Sequence, residues 1–493
     1  MYFLRRYKYL IIIFIAGTML RCIDLTGESI WVDEGRSMAL AKMPVSRIIQ
    51  ENANDNHPPL YYIFLHYWIK LFGTDELSGR LPALILGIFS IPLIYLVGRR
   101  LFNPETALFA AAIFSVSVFQ IQYAQEIKTY AAAAFLTLIS FLAYLNLRES
   151  YKIKTMWFYI ISTIILLYTH FLAIPVIIAQ NIVFLTDYYK TRDNRFLRIW
   201  LLTQAALIIL FAPWLPILFQ RTADLPGSFW LPAVGLSEIP KTLLIYAGTY
   251  TPFGLSALLI FIILAGVAIF SRYQDKEPMA FLMIWLIFPI IIPLVISLLY
   301  TPIYIARITI AASLPFYILA GKGIERIRNV TIRNQIFTIL LLLSAANLLV
   351  YYSEINKERW RETVSILEQN VSSEDLVIVH SGFCIENAID FYRRRENMNL
   401  QPFPPEHLQI TRQDTAELAG KIGPFQRIWL VRSHRRDSTN QIFSVLDHKF
   451  KCRRLVYLCN RSFNSHKSYI GVEISVWDKK NANNSMNLPE VRY

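Results

Sequence analysis

The stretch WFYIISTIILLYTHFLAIPVIIAQNIVFLT, residues 157–186, carries no Lys, Arg, Asp or Glu, and its reading decides the fold. By length alone it could be one long helix or two short ones. Charge chooses between them. Arg148, Lys152 and Lys154 precede the run, and Lys190, Arg192, Arg195 and Arg198 follow it. Basic residues close to a membrane span stay on the cytoplasmic side, so both flanks lie inside and the chain turns back in between. The turn falls near Tyr168-Thr169-His170, with Pro175 just beyond.

Working outward, apolar segments of spanning or near-spanning length lie at about 81–98, 104–119, 130–147, 199–219, 253–271, 278–300, 306–321 and 334–352. Residues 9–20 form a further one. The basic Arg5-Arg6-Tyr7-Lys8 flank before it suits a signal peptide, but Arg21-Cys22 lacks the small residues of a cleavage site, so an uncleaved helix with its N-terminus inside is expected. With the 157–186 run counted as two, about eleven spans result. The inner loops are then short and densely basic, and the segment from about Tyr352 onward lies outside. Composition agrees: 55% of the 493 residues are hydrophobic, 17% are charged and the net charge is +14. This excludes an ordinary water-soluble protein, and no basic patch interleaved with aromatics points to nucleic acid. Four cysteines are too few for a disulfide scaffold, and only Cys452 and Cys459 are near enough in sequence to suggest a pair.

The expected fold class is therefore mainly α: a polytopic bundle over 1–352 with a small α/β domain over 353–493. In the latter, 375–380, 427–433 and 469–477 are strand candidates and 385–392 a helix. The first outer loop, about 24–80, is long and carries an amphipathic stretch at Leu60–Phe72 suited to the membrane surface.

Ionisable residues recur in the outer loops. Trp31-Val32-Asp33-Glu34 sets two acids side by side, either as a catalytic pair or as the cap of a helix opening at Gly35 or Arg36. Asp55-Asn56-His57-Pro58-Pro59 presents an acid and an imidazole from a rigid turn, or caps the following surface helix. Gln125-Glu126-Ile127-Lys128 places an acid and a cation at a span entry, where an interfacial charge pair is the plainer reading. His170 sits at the turn, where a satisfied polar group is commoner than a ligand, and Arg307 at the mouth of a span, where an Arg often only snorkels. Singly each is weak, but a topology drawn only from apolar length and basic residues puts all of them on one face. Such a cluster suits a general base, a phosphate clamp and an optional divalent metal site. Glycosyl transfer from a lipid-phosphate sugar needs a base for the acceptor hydroxyl and positive charge for the departing phosphate.

Trp31-Val32-Asp33-Glu34, His57-Pro58-Pro59-Leu60-Tyr61-Tyr62, Leu71-Phe72-Gly73, Glu76, Arg80-Leu81-Pro82 and Tyr95-Leu96-Val97-Gly98-Arg99 occur in an order that resembles the GT-C polyprenyl-phosphate glycosyltransferases. The branch is the bacterial one related to protein O-mannosyltransferases, the aminoarabinose transferase of lipid A and the lipopolysaccharide galacturonosyltransferases. The resemblance implies a GT-C bundle in a bacterial inner membrane, with the C-terminal domain outside. It also implies transfer, with inversion, of a hexosyl or pentosyl group from a polyprenyl phosphate to a glycan, lipid or protein. Asp33 with Glu34 takes the position of the family's acid. Lys128 stands where Arg is usual in the Glu-x-Arg element, and Arg307 and Arg80 join it as phosphate-binding candidates. Asp55, His57, Glu126 and His170 fall where some relatives approach substrate or a divalent metal. A transporter or flippase for a lipid-linked sugar is the rival reading. It calls for ionisable groups at the bilayer midplane and paired repeats, which the sequence lacks.

Overall fold

The computed structural model describes residues 2–55, 57–171, 173–224, 234–270, 275–354, 357–404, 410–433, 441–459 and 471–480. The chain falls into two compact units, 1–25 with 40–350, and 26–39 with 351–493. A linear division at 352 therefore leaves out a piece of the first long loop, which the C-terminal unit takes in.

In the first unit the eleven anticipated segments each fold as helix: α1 (Tyr2–Cys22), α5 (Glu76–Leu101), α6 (Pro104–Ser115), α8 (Tyr130–Glu149), α9 (Ile153–Thr169), α10 (Ala173–Thr191), α11 (Asn194–Phe211), α14 (Pro252–Phe270), α15 (Lys276–Leu299), α16 (Ile310–Arg326) and α17 (Val330–Ser353). Shorter helices lie between them: α3 (Val45–Asn54), α4 (Leu60–Phe72), α7 (Val118–Ala124), α12 (Leu215–Asp224) and α13 (Glu238–Ala247), while α2 (Val32–Lys42) lies mostly in the second unit. The charge-free run does break, between Thr169 and Ala173.

Eleven full spans are not established. Among the described residues six helices are long and apolar enough to cross a bilayer, or seven if a bent pair is counted as one. Length is part of the reason: α9 and α16 have 17 residues each, about 26 Å of helix against a hydrocarbon core of about 30 Å, whereas α1 and α10 are long enough but too polar. The expected 104–119 span is the bent pair, α6 and α7 meeting at 61°. Ser117 causes the restart, its hydroxyl accepting from Gln120 N–H at the head of α7. Close packing holds the bundle; a Cβ on Gly321 of α16 would lie 2.7 Å from the Thr106 carbonyl oxygen.

The second unit is a five-stranded sheet of order β2-β1-β3-β5-β4, with β1 (Leu376–His380), β2 (Asn399–Phe403), β3 (Arg427–Arg432), β4 (Phe450–Cys459) and β5 (Gly471–Lys479). The first three run parallel, while β5 pairs antiparallel with β3 and with β4. Alternation along the strands gives two apolar faces. Val377, Val379, Val431 and Ile474 pack with Trp360, Val364 and Leu367 of α18 (Trp360–Asn370). On the other side Leu376, Ile378, Ile428 and Leu430 pack with α20 (Arg412–Lys421) and α21 (Gln441–Lys449). The expected helix at 385–392 is a π turn, Ile385–Ile389, running into α19 (Asp390–Tyr392).

Cys452 and Cys459 stand seven positions apart along the single strand β4, roughly 23 Å at the rise of an extended chain. That is beyond the reach of a disulfide, and Cys452 is a free thiol. Arg435 and Arg436 lie outside the described residues, while the basic run 393–395 is engaged in part. Arg393 pairs with Asp390 at 2.9 Å, and the Arg395 guanidinium donates to the carbonyls of Glu368 and Val371.

Candidate functional site

In the first unit, one end of the bundle gathers His57, Lys128, Tyr130, His170 and Arg307. His170 occupies the break between α9 and α10 and is 3% exposed. Its ring lies 6.5 Å from that of His57, 5.7 Å from Tyr130 and 4.7 Å from Phe171, centroid to centroid. Burial first, and then the charges of His57, Lys128 and Arg307, hold its pKa well below the usual imidazole value. His170 is therefore a neutral imidazole facing cations. Arg307 belongs to the 3-10 turn Ala306–Thr309 that leads into α16, and its guanidinium carbon lies 5.9 Å from the centre of the Tyr130 ring. His57 precedes the Pro58-Pro59 entry to α4; its Nδ1–H donates to the Asp55 carbonyl at 2.6 Å, with the Asp55 carboxylate 3.7 Å away.

Lys128 is carried by the short link between α7 and α8, and the fold builds that link tightly. Arg21, at the end of α1 and fully buried, donates to the Gly17 and Ser115 carbonyls at 3.0 Å and to Phe114 O at 3.3 Å, and its charge lies over the Phe114 ring. It thereby satisfies carbonyls that the end of α6 leaves open. Gln125 closes the other side, donating from Nε2 to the carbonyls of Arg21 (3.0 Å) and Ile23 (2.7 Å). Within the link, Lys128 N–H donates to Glu126 O at 2.7 Å, closing a tight turn. Neither Arg21 nor Gln125 stood out in the sequence as a site residue, although an Arg at the end of an apolar helix was a signal.

Arg80 and Glu126 are buried in this unit. Arg80 donates to the Leu25 carbonyl at 2.7 Å, and Glu126 accepts from Gln122 at 3.3 Å. Among the described residues no three His, Cys, Asp or Glu side chains converge as a metal would need. The set Asp55, His57, Glu126 and His170 thus does not fit a divalent ion, although two of its imidazoles are neighbours.

In the second unit, α2 opens at Val32, earlier than the expected Gly35 or Arg36, so Asp33 and Glu34 occupy its first helical turn rather than its cap. The capping acceptor comes from far along the chain: the Glu358 carboxylate receives Val32 N–H at 3.4 Å and the Trp360 indole N–H. Glu34 has no exposed surface and pairs with Lys357 at 3.2 Å. Asp33 is partly buried. Two adjacent acids, which the sequence could not tell apart, thus differ in burial, Glu34 fully enclosed and Asp33 only in part. Lys357 lies near the start of the expected 353–493 domain and carries no local sequence signal of its pairing with Glu34.

Residues 56–217 match the family described as dolichyl-phosphate-mannose-protein mannosyltransferase. A protein of Aquifex aeolicus (strain VF5), itself uncharacterised, is 30% identical over 94 residues, 19% of either chain. Over almost the whole length the fold is similar to that of ArnT from Cupriavidus metallidurans, with a TM-score of 0.59 at 12% identity, covering 94% of this chain and 97% of that one. The undecaprenyl-phosphate-bound form of ArnT gives 0.57 at 12% identity, over 96% and 98%. The oligosaccharyltransferase AglB from Archaeoglobus fulgidus, in complex with an inhibitory peptide and a dolichol-phosphate, gives 0.55 at 12% identity, over 86% of this chain and 69% of that one. Another structure of that enzyme, in complex with zinc and sulfate, gives 0.56 at 13% identity, over 86% and 67%.

Proposed function

The chain has the GT-C glycosyltransferase fold, with a mannosyltransferase-family segment over 56–217, and from that premise we propose that it transfers a sugar from a polyprenyl phosphate to an acceptor outside a bacterial inner membrane. The observation that carries this reading is the convergence of Lys128 and Arg307 on the neutral His170. A departing polyprenyl phosphate needs such a paired cation site. ArnT, whose fold the chain shares, is known with undecaprenyl phosphate bound.

In this reading Asp33 accepts the proton of the acceptor hydroxyl while that oxygen attacks the sugar's anomeric carbon from the face opposite the phosphate. The anomeric carbon–oxygen bond to phosphate breaks, its electron pair leaves with the phosphate, and the configuration inverts. Arg307, braced on Tyr130, and Lys128 hold the charge that develops on the phosphate. His170, uncharged and adjacent, is suited to hydrogen bonding without repelling the cations, with His57 beside it. Arg80 is assigned to holding the Leu25 carbonyl, and Glu34 to holding α2. The acceptor, whether lipopolysaccharide, another glycan, a lipid or a protein, belongs to the same proposal, with the N-terminus cytoplasmic.

The test is mass spectrometry of lipid extracts from cells lacking the protein, complemented with the native chain or with Asp33→Asn. A polyprenyl-phosphate sugar should accumulate in the null and Asp33→Asn strains and clear with the native chain. Purified Asp33→Asn should turn over on the order of 10² more slowly. Unchanged glycolipid pools in all strains would refute the transfer reading, and native turnover by Asp33→Asn would refute the assigned base.

A further inference from the structure

We propose that Lys357, with Glu358, is a positioning residue for Asp33 within the C-terminal unit; this rests on the reading of Asp33 as the base. Residues 26–39 are built into that unit at every level. Arg361 donates to the Thr26 carbonyl at 3.0 Å, Ser29 Oγ to the Glu358 carbonyl at 2.6 Å, and Ile30 N–H is received by the Tyr392 hydroxyl at 2.7 Å. Val32 packs in the same apolar cluster as Trp360 and Val364. Gly35 lies so close to the Asn387 backbone that a Cβ there would sit 1.4 Å from its carbonyl oxygen.

Against this frame the Glu34–Lys357 pair has a specific task. Consecutive residues on a helix point about 100° apart, so Asp33 and Glu34 cannot both face the same way. A rotation of α2 by one residue would exchange them. Lys357, 7% exposed, gives its charge to Glu34, which is 0% exposed, and so fixes which of the two acids turns inward. A buried ion pair contributes little to stability compared with an apolar pair of the same size, and in this proposal its role is to specify the register of α2. Glu358 fixes the second coordinate by anchoring the first amide of α2 where the helix terminus favours a negative charge.

The experiment uses the full chain, purified in detergent and normalised to folded protein by size exclusion, with the donor lipid that accumulates in the null strain. Lys357→Met should lower kcat on the order of 10²-fold, the scale of a small misplacement at a reacting centre, and leave the donor KM within about threefold. Lys357→Arg, which keeps the charge, should recover most of the loss. In an Asp33→Asn background Lys357→Met should cost nothing further, because its effect passes through Asp33. If Lys357→Met does not fold, Glu358→Gln carries the same test, with an expected loss of roughly tenfold in kcat and again none in the Asp33→Asn background. Unchanged kcat in the folded variant, or a full additional loss on top of Asp33→Asn, overturns the proposal while leaving the transfer reading intact. A fully active Asp33→Asn removes the base assignment and the positioning proposal together.

Discussion

Gly35→Ala offers the sharpest test of the frame around α2. The added methyl would fall 1.4 Å from the Asn387 carbonyl oxygen and 2.5 Å from its carbon, both backbone atoms that no rotamer change can clear. Ordinary van der Waals contact requires about 3.5 Å, so either α2 or the 385–389 turn must retreat by about 2 Å. Overpacking of this kind costs about 1–3 kcal/mol, and two residues away Asp33 moves with the helix. A displacement on that scale should reduce turnover by at least 10²-fold. Gly420→Ala in α20 of the same unit is the control, because a Cβ there meets nothing within 4 Å. It should leave turnover unchanged and, if anything, raise the melting temperature through helix propensity. The assay pairs donor turnover with thermal unfolding of the purified protein. Gly35→Ala with turnover within threefold of native, alongside an inactive Asp33→Asn, would refute the claim that the Asn387 backbone holds the acid in place.

The cation pair and the buried imidazole supply two further tests. Arg307→Ala should lower kcat on the order of 10²–10³-fold, the scale of losing one preorganised charge donor, whereas Lys128→Arg should retain or improve turnover; a loss under threefold for Arg307→Ala refutes its role at the phosphate. His170 titrates below its unfolded value, so the unfolded chain binds the extra proton first, and stability contributed at neutral pH is lost as pH falls below about 6.5. The acid decline in melting temperature should accordingly be shallower for His170→Asn than for the native protein. Parallel curves would refute the burial argument.

Much of the bundle was legible because apolar length and basic flanks are local signals. Trp157–Thr186 resolved into two helices on flanking charge alone, and strands β1, β3 and β5 announced themselves as short apolar runs. Signals that depend on partners were not readable. β2, Asn399–Phe403, contains a proline and pairs with one neighbour only, so its sequence lacks the alternation of a central strand. β4 is broken by a bulge between Cys452 and Arg454 and carries basic residues in its first half. The break between α6 and α7 depends on Ser117 and on a guanidinium from α1, which periodicity within 104–119 cannot reveal. Asp33 and Glu34 looked equivalent for the same reason: Lys357, which distinguishes them, is remote in sequence and leaves no trace in a local window.

That remoteness has a temporal side. Val32 and the Glu358 carboxylate that anchors it are 326 positions apart, and a ribosome adding 5–20 residues per second needs roughly 15–65 s to go from one to the other. During this interval α1 and the helices after it emerge one by one while the acidic turn waits without Lys357, Glu358 or Trp360. A nascent or truncated chain ending before residue 357 thus already holds Lys128 and Arg307 but has its acid unset. Under the proposed base assignment, the acid is set only after the bundle has been made, so the order of synthesis itself would keep a half-built bundle inactive.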